Sequence, residues 1–204
     1  KAAAFGGTTT ALDFIPHGPG SFRENIDGWH ARADDLAAID FSFHMNVERV
    51  NDDVRKEFHV LGEEGISSIK VFSAYNKRMR LQDGDIFRVL RMAGEQGYLT
   101  MMHAENGDVI EQLVEEALAN GNTSTEWHAH TRPAWGAVEA ALRGFAMAEQ
   151  AGAPLYLVHM NTGGETDMLQ YARERGLPVM GETCPQYMFF TLEDLQRPDG
   201  AKWI

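Results

Sequence analysis

A lysine and two histidines recur at matching places in three successive units of this chain. Lys70 lies in the apolar run Gly65-Ile-Ser-Ser-Ile-Lys70-Val-Phe-Ser-Ala-Tyr75, His103 directly follows Met101-Met102, and His159 directly follows Leu157-Val158. Neutral imidazole suits a borderline metal ion such as zinc. A lysine inside an apolar strand is costly to bury, and with an ordinary pKa of about 10.4 it is a cation that repels such a metal. A carbamate formed with carbon dioxide removes both conflicts. It is an anion with two oxygens on a long stem, able to bridge a pair of metal ions, and burial favours it by raising the share of neutral amine. The expected chemistry is that of a metal centre built on Lys70, His103 and His159. The plainer alternatives are a lysine paired with a carboxylate or snorkelling to solvent, and a histidine held in a structural hydrogen bond. Three candidates at matching positions weigh against them. Glu105 and Asn106, beside His103, are placed to orient it, although Glu105 reads equally well as an acid at a helix start.

Such a site needs strands whose carboxyl ends converge, and the rest of the chain supplies them. Lys1-Ala-Ala-Ala-Phe5-Gly-Gly reads as a helix end closed by glycine. Apolar and β-branched runs predict strands over 8–15, 37–45, 67–72, 98–102, 154–158 and 177–181. Between them lie helical patterns. Ser21 and Glu24 form a capping box before Phe22, Ile26, Trp29 and Ala33; Val54, Phe58 and Leu61 share a face of a helix over 51–61; and Ile86, Val89, Leu90 and Ala93 mark the next. Ile110, Leu113, Val114 and Ala117 form another, stopped by Asn120-Gly121; Val138, Leu142, Phe145 and Ala148 follow a polar loop over 122–132; and Thr162-Gly-Gly-Glu165 caps the last. No clear unit follows Glu182. Six strands alternating with helices predict an α/β fold with a parallel sheet, either a barrel or a doubly wound sheet. No Gly-x-Gly-x-x-Gly follows the first strand, which weakens the dinucleotide-binding version.

With 204 residues and 44% hydrophobic content the chain is long enough for one sizeable core. A net charge of -12 without any lysine or arginine stripe argues against nucleic acid and anionic membrane surfaces as partners. A small molecule or a second copy of the chain fits better. The lone Cys184 cannot form an internal disulfide, and the sequence has neither a signal-peptide pattern nor an apolar run long enough to span a bilayer, which makes the cytoplasm the expected compartment.

The combination of Ser68-Ile-Lys70-Val-Phe-Ser-Ala-Tyr75, His103-Ala-Glu-Asn-Gly107, Thr131-Arg132-Pro133, Leu157-Val-His159 and Gly181-Glu-Thr-Cys-Pro-Gln-Tyr187 resembles the cyclic amidohydrolases, most closely the dihydropyrimidinase and D-hydantoinase group. The resemblance covers nearly the whole chain, and the set of motifs is specific where any single one would be weak. It implies a (βα)8 TIM-type barrel with two divalent metal ions, zinc in the usual case. Lys70 matches the carboxylated bridging lysine, His103 and His159 match the two histidines of one metal position, and Tyr75 matches the tyrosine that hydrogen-bonds substrate and stabilises the oxyanion. The loop 73–83, with Met79 and Leu81, resembles the substrate-facing loop. The implied reaction is hydrolysis of a cyclic ureide, a dihydropyrimidine or 5-substituted hydantoin, to an N-carbamoyl amino acid by metal-activated water. A homo-oligomer, a tetramer in this group, is the implied assembly.

Two departures qualify the match. A His-x-His pair and an aspartate of the family pattern have no counterpart here. If the six strands are the second to seventh of a barrel, those residues belong to the two strands outside residues 1–204, so the chain is expected to be the central part of a longer barrel domain, inactive alone. Allantoinase or dihydroorotase activity is the alternative among enzymes. A non-catalytic dihydropyrimidinase-like binding protein is the alternative of another class, disfavoured because Lys70, His103 and His159 are all kept. The remaining candidates have bland expectations: His17 and His44 structural, His128 and His130 in loop or subunit contacts, Cys184 buried or inert, and Met101, Met102 and Met180 in the core.

Overall fold

The computed structural model describes residues 2–203. Six strands, β1 (Thr10–Ile15), β2 (Asp40–Asn46), β3 (Ser68–Phe72), β4 (Leu99–His103), β5 (Leu155–Leu157) and β6 (Val179–Gly181), form one sheet in the order β1-β2-β3-β4-β5-β6. Every neighbouring pair is parallel. This order decides between the two architectures left open above. A doubly wound sheet reverses its strand order at a switch point, whereas strands added in strict sequence through right-handed crossovers put every helix on the same side, as in a (βα)8 barrel.

The helices of that layer are α2 (Phe22–Ala33), α3 (Asp52–Glu57), α4 (Val60–Glu63), α5 (Asp83–Gln96), α8 (Ala134–Ala151) and α9 (Gly163–Glu174), while α6 (Gly107–Ala119), which follows β4, places none of its residues in the core cluster. A short α1 (Ala2–Phe5) precedes β1, and the one-turn α7 (Trp127–His130) and α10 (Leu192–Leu195) lie in connections. The predicted start signals are present. Ser21 and Glu24 close a capping box on α2, and Thr162 with Glu165 closes another on α9. Phe22, Ile26, Ile86, Val89, Leu90, Phe145 and Ala148 all face the core beneath the sheet, beside Ile69, Val71, Met102, Leu155 and Leu157.

Several expectations need correction. The helix over 51–61 is two short helices, because Val60 is buried along with Phe58 and Leu61, and these three cannot share one narrow face of a straight helix. The loop 122–132 contains α7. Met180 is 43% exposed, since β6 is an edge strand whose alternate residue points away from the helix layer. Cys184 is only partly buried, with its thiol against the Tyr187 hydroxyl. Among the described residues, no helix is long and apolar enough to cross a membrane.

Candidate metal centre

The carboxyl ends of β3, β4 and β5 bring the predicted residues together. Lys70 is paired with Met101 across β3 and β4, and Phe72 with His103, so His103 ends its strand one pleat beyond the level of Lys70. His159 follows β5 by two residues and adopts φ +43. The two imidazoles meet directly. His103 Nδ1 lies 3.0 Å from His159 Nε2, and the rings cross edge to face at 4.8 Å.

Glu105 completes this pair from the other side, its Oε2 standing 2.5 Å from His103 Nε2. Of its two readings, orienter and helix-start acid, the contact supports the first. Burial opposes ionisation of Glu105, but the His103 hydrogen bond, with Arg132 behind it, holds the carboxyl below its ordinary range. A carboxylate there takes the Nε2–H of His103, which leaves the Nδ1 lone pair aimed at His159. Burial, with the charges of His103 and Lys70, pushes His159 down to about 4, so its ring is neutral at pH 7. Two ring nitrogens 3.0 Å apart are close enough to share one cation, because a pair of Zn–N bonds of about 2.0–2.1 Å spans about 2.8–3.4 Å between a right angle and a tetrahedral one. Among the described residues, no group of three or more His, Cys, Asp and Glu side chains is arranged to hold a metal ion by itself.

Lys70 is 4% exposed. Its ammonium lies 5.2 Å from the Phe72 ring centroid and 5.9 Å from that of Phe14, and it makes neither an ion pair nor a hydrogen bond with any described residue. The carboxylate-paired reading of this lysine therefore fails. Burial drives its pKa down from 10.5 to about 8, against a small opposing pull from Glu182. Folded protein with a free Lys70 amine thus binds fewer protons than unfolded protein between about pH 8 and 10.5. Its stability rises with pH through that window, and the penalty is fully present below it. The gap corresponds to about 3 kcal/mol. In metal-free protein without carbon dioxide, Lys70→Met should raise the unfolding free energy by about 2–3 kcal/mol at pH 7 and by far less above pH 10.5. Denaturant titration at the two pH values measures this, and an unchanged midpoint at pH 7 would contradict the burial of a charged amine.

Tyr75 opens the loop after β3 with φ +68, a conformation an aromatic residue seldom adopts. Of the three non-glycine residues with positive φ among the described residues, two are Tyr75 and His159, and such strain clusters at functional sites. The Tyr75 ring rests 4.9 Å from that of His103 and 6.0 Å from that of Phe72. Burial and the Glu105 charge raise its pKa above the ordinary 10, so the phenol keeps its proton and can donate it in a hydrogen bond.

Other expected residues land elsewhere. Asn106 does not orient His103. It is the N-cap of α6, accepting from the Val109 N–H at 3.1 Å and donating to Glu139 at 3.0 Å. Leu81 is a core residue rather than part of a substrate-facing surface, because its N–H donates to the Phe72 carbonyl and draws the loop back against β3. Met79 is half-buried in the same turn. His17 is buried and accepts from the Glu48 N–H at 3.1 Å, while His44 Nδ1 lies 2.5 Å from Ser68 Oγ; both are structural contacts. Arg132 donates to the His128 carbonyl at 3.0 Å, which pins the loop containing it.

Sequence reasoning assigned no role to Ser73, Arg132 or Glu182. The buried Ser73 hydroxyl accepts from the Glu105 N–H at 3.0 Å and lies within hydrogen-bond distance of the His103 and Glu105 carbonyls. It thereby ties the ends of β3 and β4 together. The available signal was position, since Ser73 and Arg132 sit inside motifs that carry neighbouring candidates.

No protein-family model matches the chain. A D-hydantoinase of Streptomyces coelicolor is 48% identical over 207 residues, covering 100% of this chain and 44% of that protein. A D-phenylhydantoinase of Escherichia coli is 37% identical over the same length. Among solved structures, a D-hydantoinase from a Bacillus species superposes with a TM-score of 0.97 at 42% identity, covering 100% of this chain and 46% of that one. A dihydropyrimidinase from Brevibacillus agri gives 0.97 at 43%, covering 100% and 45%. In sequence and in fold the chain is therefore similar, over its whole length, to the D-hydantoinase and dihydropyrimidinase group of cyclic amidohydrolases, and it spans less than half the length of these relatives.

Proposed function

We propose that the protein containing this chain hydrolyses a cyclic ureide, a dihydropyrimidine or a 5-substituted hydantoin, to an N-carbamoyl amino acid at a centre of two divalent metal ions held in part by Lys70, His103 and His159. The observation that carries this reading is the pair of ring nitrogens 3.0 Å apart, together with a buried lysine that forms no ion pair or hydrogen bond with any described residue. Names of similar proteins support the substrate class, since they are hydantoinases, a phenylhydantoinase and a dihydropyrimidinase.

Each residue has a part. The Lys70 amine, neutral in a large share of molecules near its depressed pKa, adds through nitrogen to carbon dioxide and releases one proton to solvent, leaving a carbamate anion. Nδ1 of His103 and Nε2 of His159 would hold metal at this centre, with the Lys70 carbamate as its anionic ligand. Glu105 keeps the His103 ring in the tautomer that leaves Nδ1 free. Bound metal supplies Lewis-acid polarisation of the ring carbonyl and a water activated at neutral pH. Tyr75 donates its phenol proton in a hydrogen bond to the carbonyl oxygen as negative charge develops there. A cytoplasmic homo-oligomer completes the reading.

A kinetic panel of dihydrouracil, a 5-substituted hydantoin, allantoin and dihydroorotate on the full-length, metal-loaded protein tests it, with the N-carbamoyl product followed directly. Turnover of the first two is expected to dominate. Turnover confined to allantoin or dihydroorotate would replace the substrate assignment, and metal binding without any turnover would favour a binding protein.

A further inference from the structure

We propose that an interlock centred on Arg80 and Asp108 is a positioning device that aims the Tyr75 phenol at the reacting carbonyl. The inference rests on Tyr75 being the oxyanion donor of the proposed hydrolysis. It starts from a conformational problem. Tyr75 holds φ +68, and its carbonyl accepts from the N–H groups of Arg78 at 2.8 Å, Met79 at 3.2 Å and Arg80 at 3.4 Å. A tight turn that begins on a strained aromatic residue persists only where its surroundings over-determine it.

The surroundings come from the first turns of α6. The Arg80 guanidinium spans both carboxylate oxygens of Asp108, with its Nη2 at 2.8 Å from Oδ2, and also donates to Asn76 Oδ1 at 2.8 Å. Asn76 turns its amide nitrogen the other way, to Asp108 Oδ1 at 3.1 Å and Glu111 Oε2 at 2.7 Å. Residues 76 and 80 therefore hold each other and the same helix. Close approach is built in at Gly107, where an added Cβ would stand 2.4 Å from Asn76 Oδ1 and 2.8 Å from Ala74 Cα. Only glycine leaves the turn room to seat against the helix.

The direction of the device follows from connectivity. Helix α6 begins four residues after His103, so a turn fixed to Asp108 and Glu111 is fixed relative to the strand end that carries the histidine. The Tyr75 ring, 4.9 Å from that of His103, is thereby held in register with the metal position. An isolated surface ion pair would do little. This one has a planar, two-pronged geometry that specifies orientation, and Arg80 is only 10% exposed in its side chain while Asp108 is 71% exposed.

The test uses the full-length, metal-loaded enzyme and the hydantoin substrate. Because Asp108 lies at the surface, Asp108→Ala preserves the fold even if Arg80→Ala does not. Each is expected to lower kcat by roughly 10- to 100-fold, the cost of a misplacement on the order of 1 Å, with metal content retained. In the Tyr75→Phe background, Asp108→Ala should lower kcat no further, because both changes remove one function. Hydrogen exchange should quicken in the peptide spanning 75–81 in Asp108→Ala. Unaltered kcat in the single variants, multiplying effects in the double variant, or unaltered exchange would each overturn the interlock alone. Full kcat in Tyr75→Phe would overturn the role of Tyr75 and the interlock with it.

Discussion

Lys70→Ala is expected to empty the metal centre and to abolish turnover. On the proposed reading a Lys70 carbamate would supply the anionic bridge of the centre, since Lys70 is buried near His159 and forms no ion pair with a described carboxylate. Loss of a group that merely orients a ligand costs about 10- to 100-fold in metal affinity. Loss of the bridge itself should cost more, leaving metal per chain well below the parent value after dialysis. The substitution also removes a buried cation, so the protein should remain folded while it fails to bind metal, and that combination separates a lost ligand from a lost fold. Metal content and circular dichroism on the same sample provide the check. Full metal loading with retained turnover would show that Lys70 has no part in the centre.

Tyr75→Phe should lower kcat by about 10²- to 10³-fold, the usual range for deleting one oxyanion donor, with little change in KM and none in metal content. The ring is kept, and with it the contacts to Phe72 and His103 at 6.0 and 4.9 Å. What is lost is one hydroxyl, kept protonated at neutral pH by burial and by the Glu105 charge. An effect confined to KM would mean that the phenol binds the ground state as tightly as the transition state and does not act as an oxyanion donor.

The site was legible in the sequence to different depths. Lys70, His103 and His159 could be read because a lysine inside an apolar run and a histidine just after one are local features. The role of Glu105 stayed open between two readings until its carboxylate appeared 2.5 Å from His103 Nε2. Asn106 was misread because an amide next to a ligand looks like an orienter, whereas its side chain closes on the N–H of Val109 three residues ahead. Leu81 was misread because a loop reads as exposed, and nothing local signals that the bond from its N–H to the Phe72 carbonyl turns it inward.

The sequence by itself determined six strands with helices between them, the capping boxes at Ser21 and Thr162, and a lysine within one strand with a histidine after each of two others. Each of these depends on periodicity or on contacts within about one helical turn, which a linear pattern records. Only the tertiary structure decided that the strands follow one another in unbroken order, that Nδ1 of one histidine faces Nε2 of the other across 56 residues, and that Arg80 reaches Asp108 across 28. These contacts arise from the parallel register that sets distant strand ends side by side. They depend on where neighbouring segments stand rather than on what any one segment prefers, which is why the linear pattern carried the ligands but not their geometry.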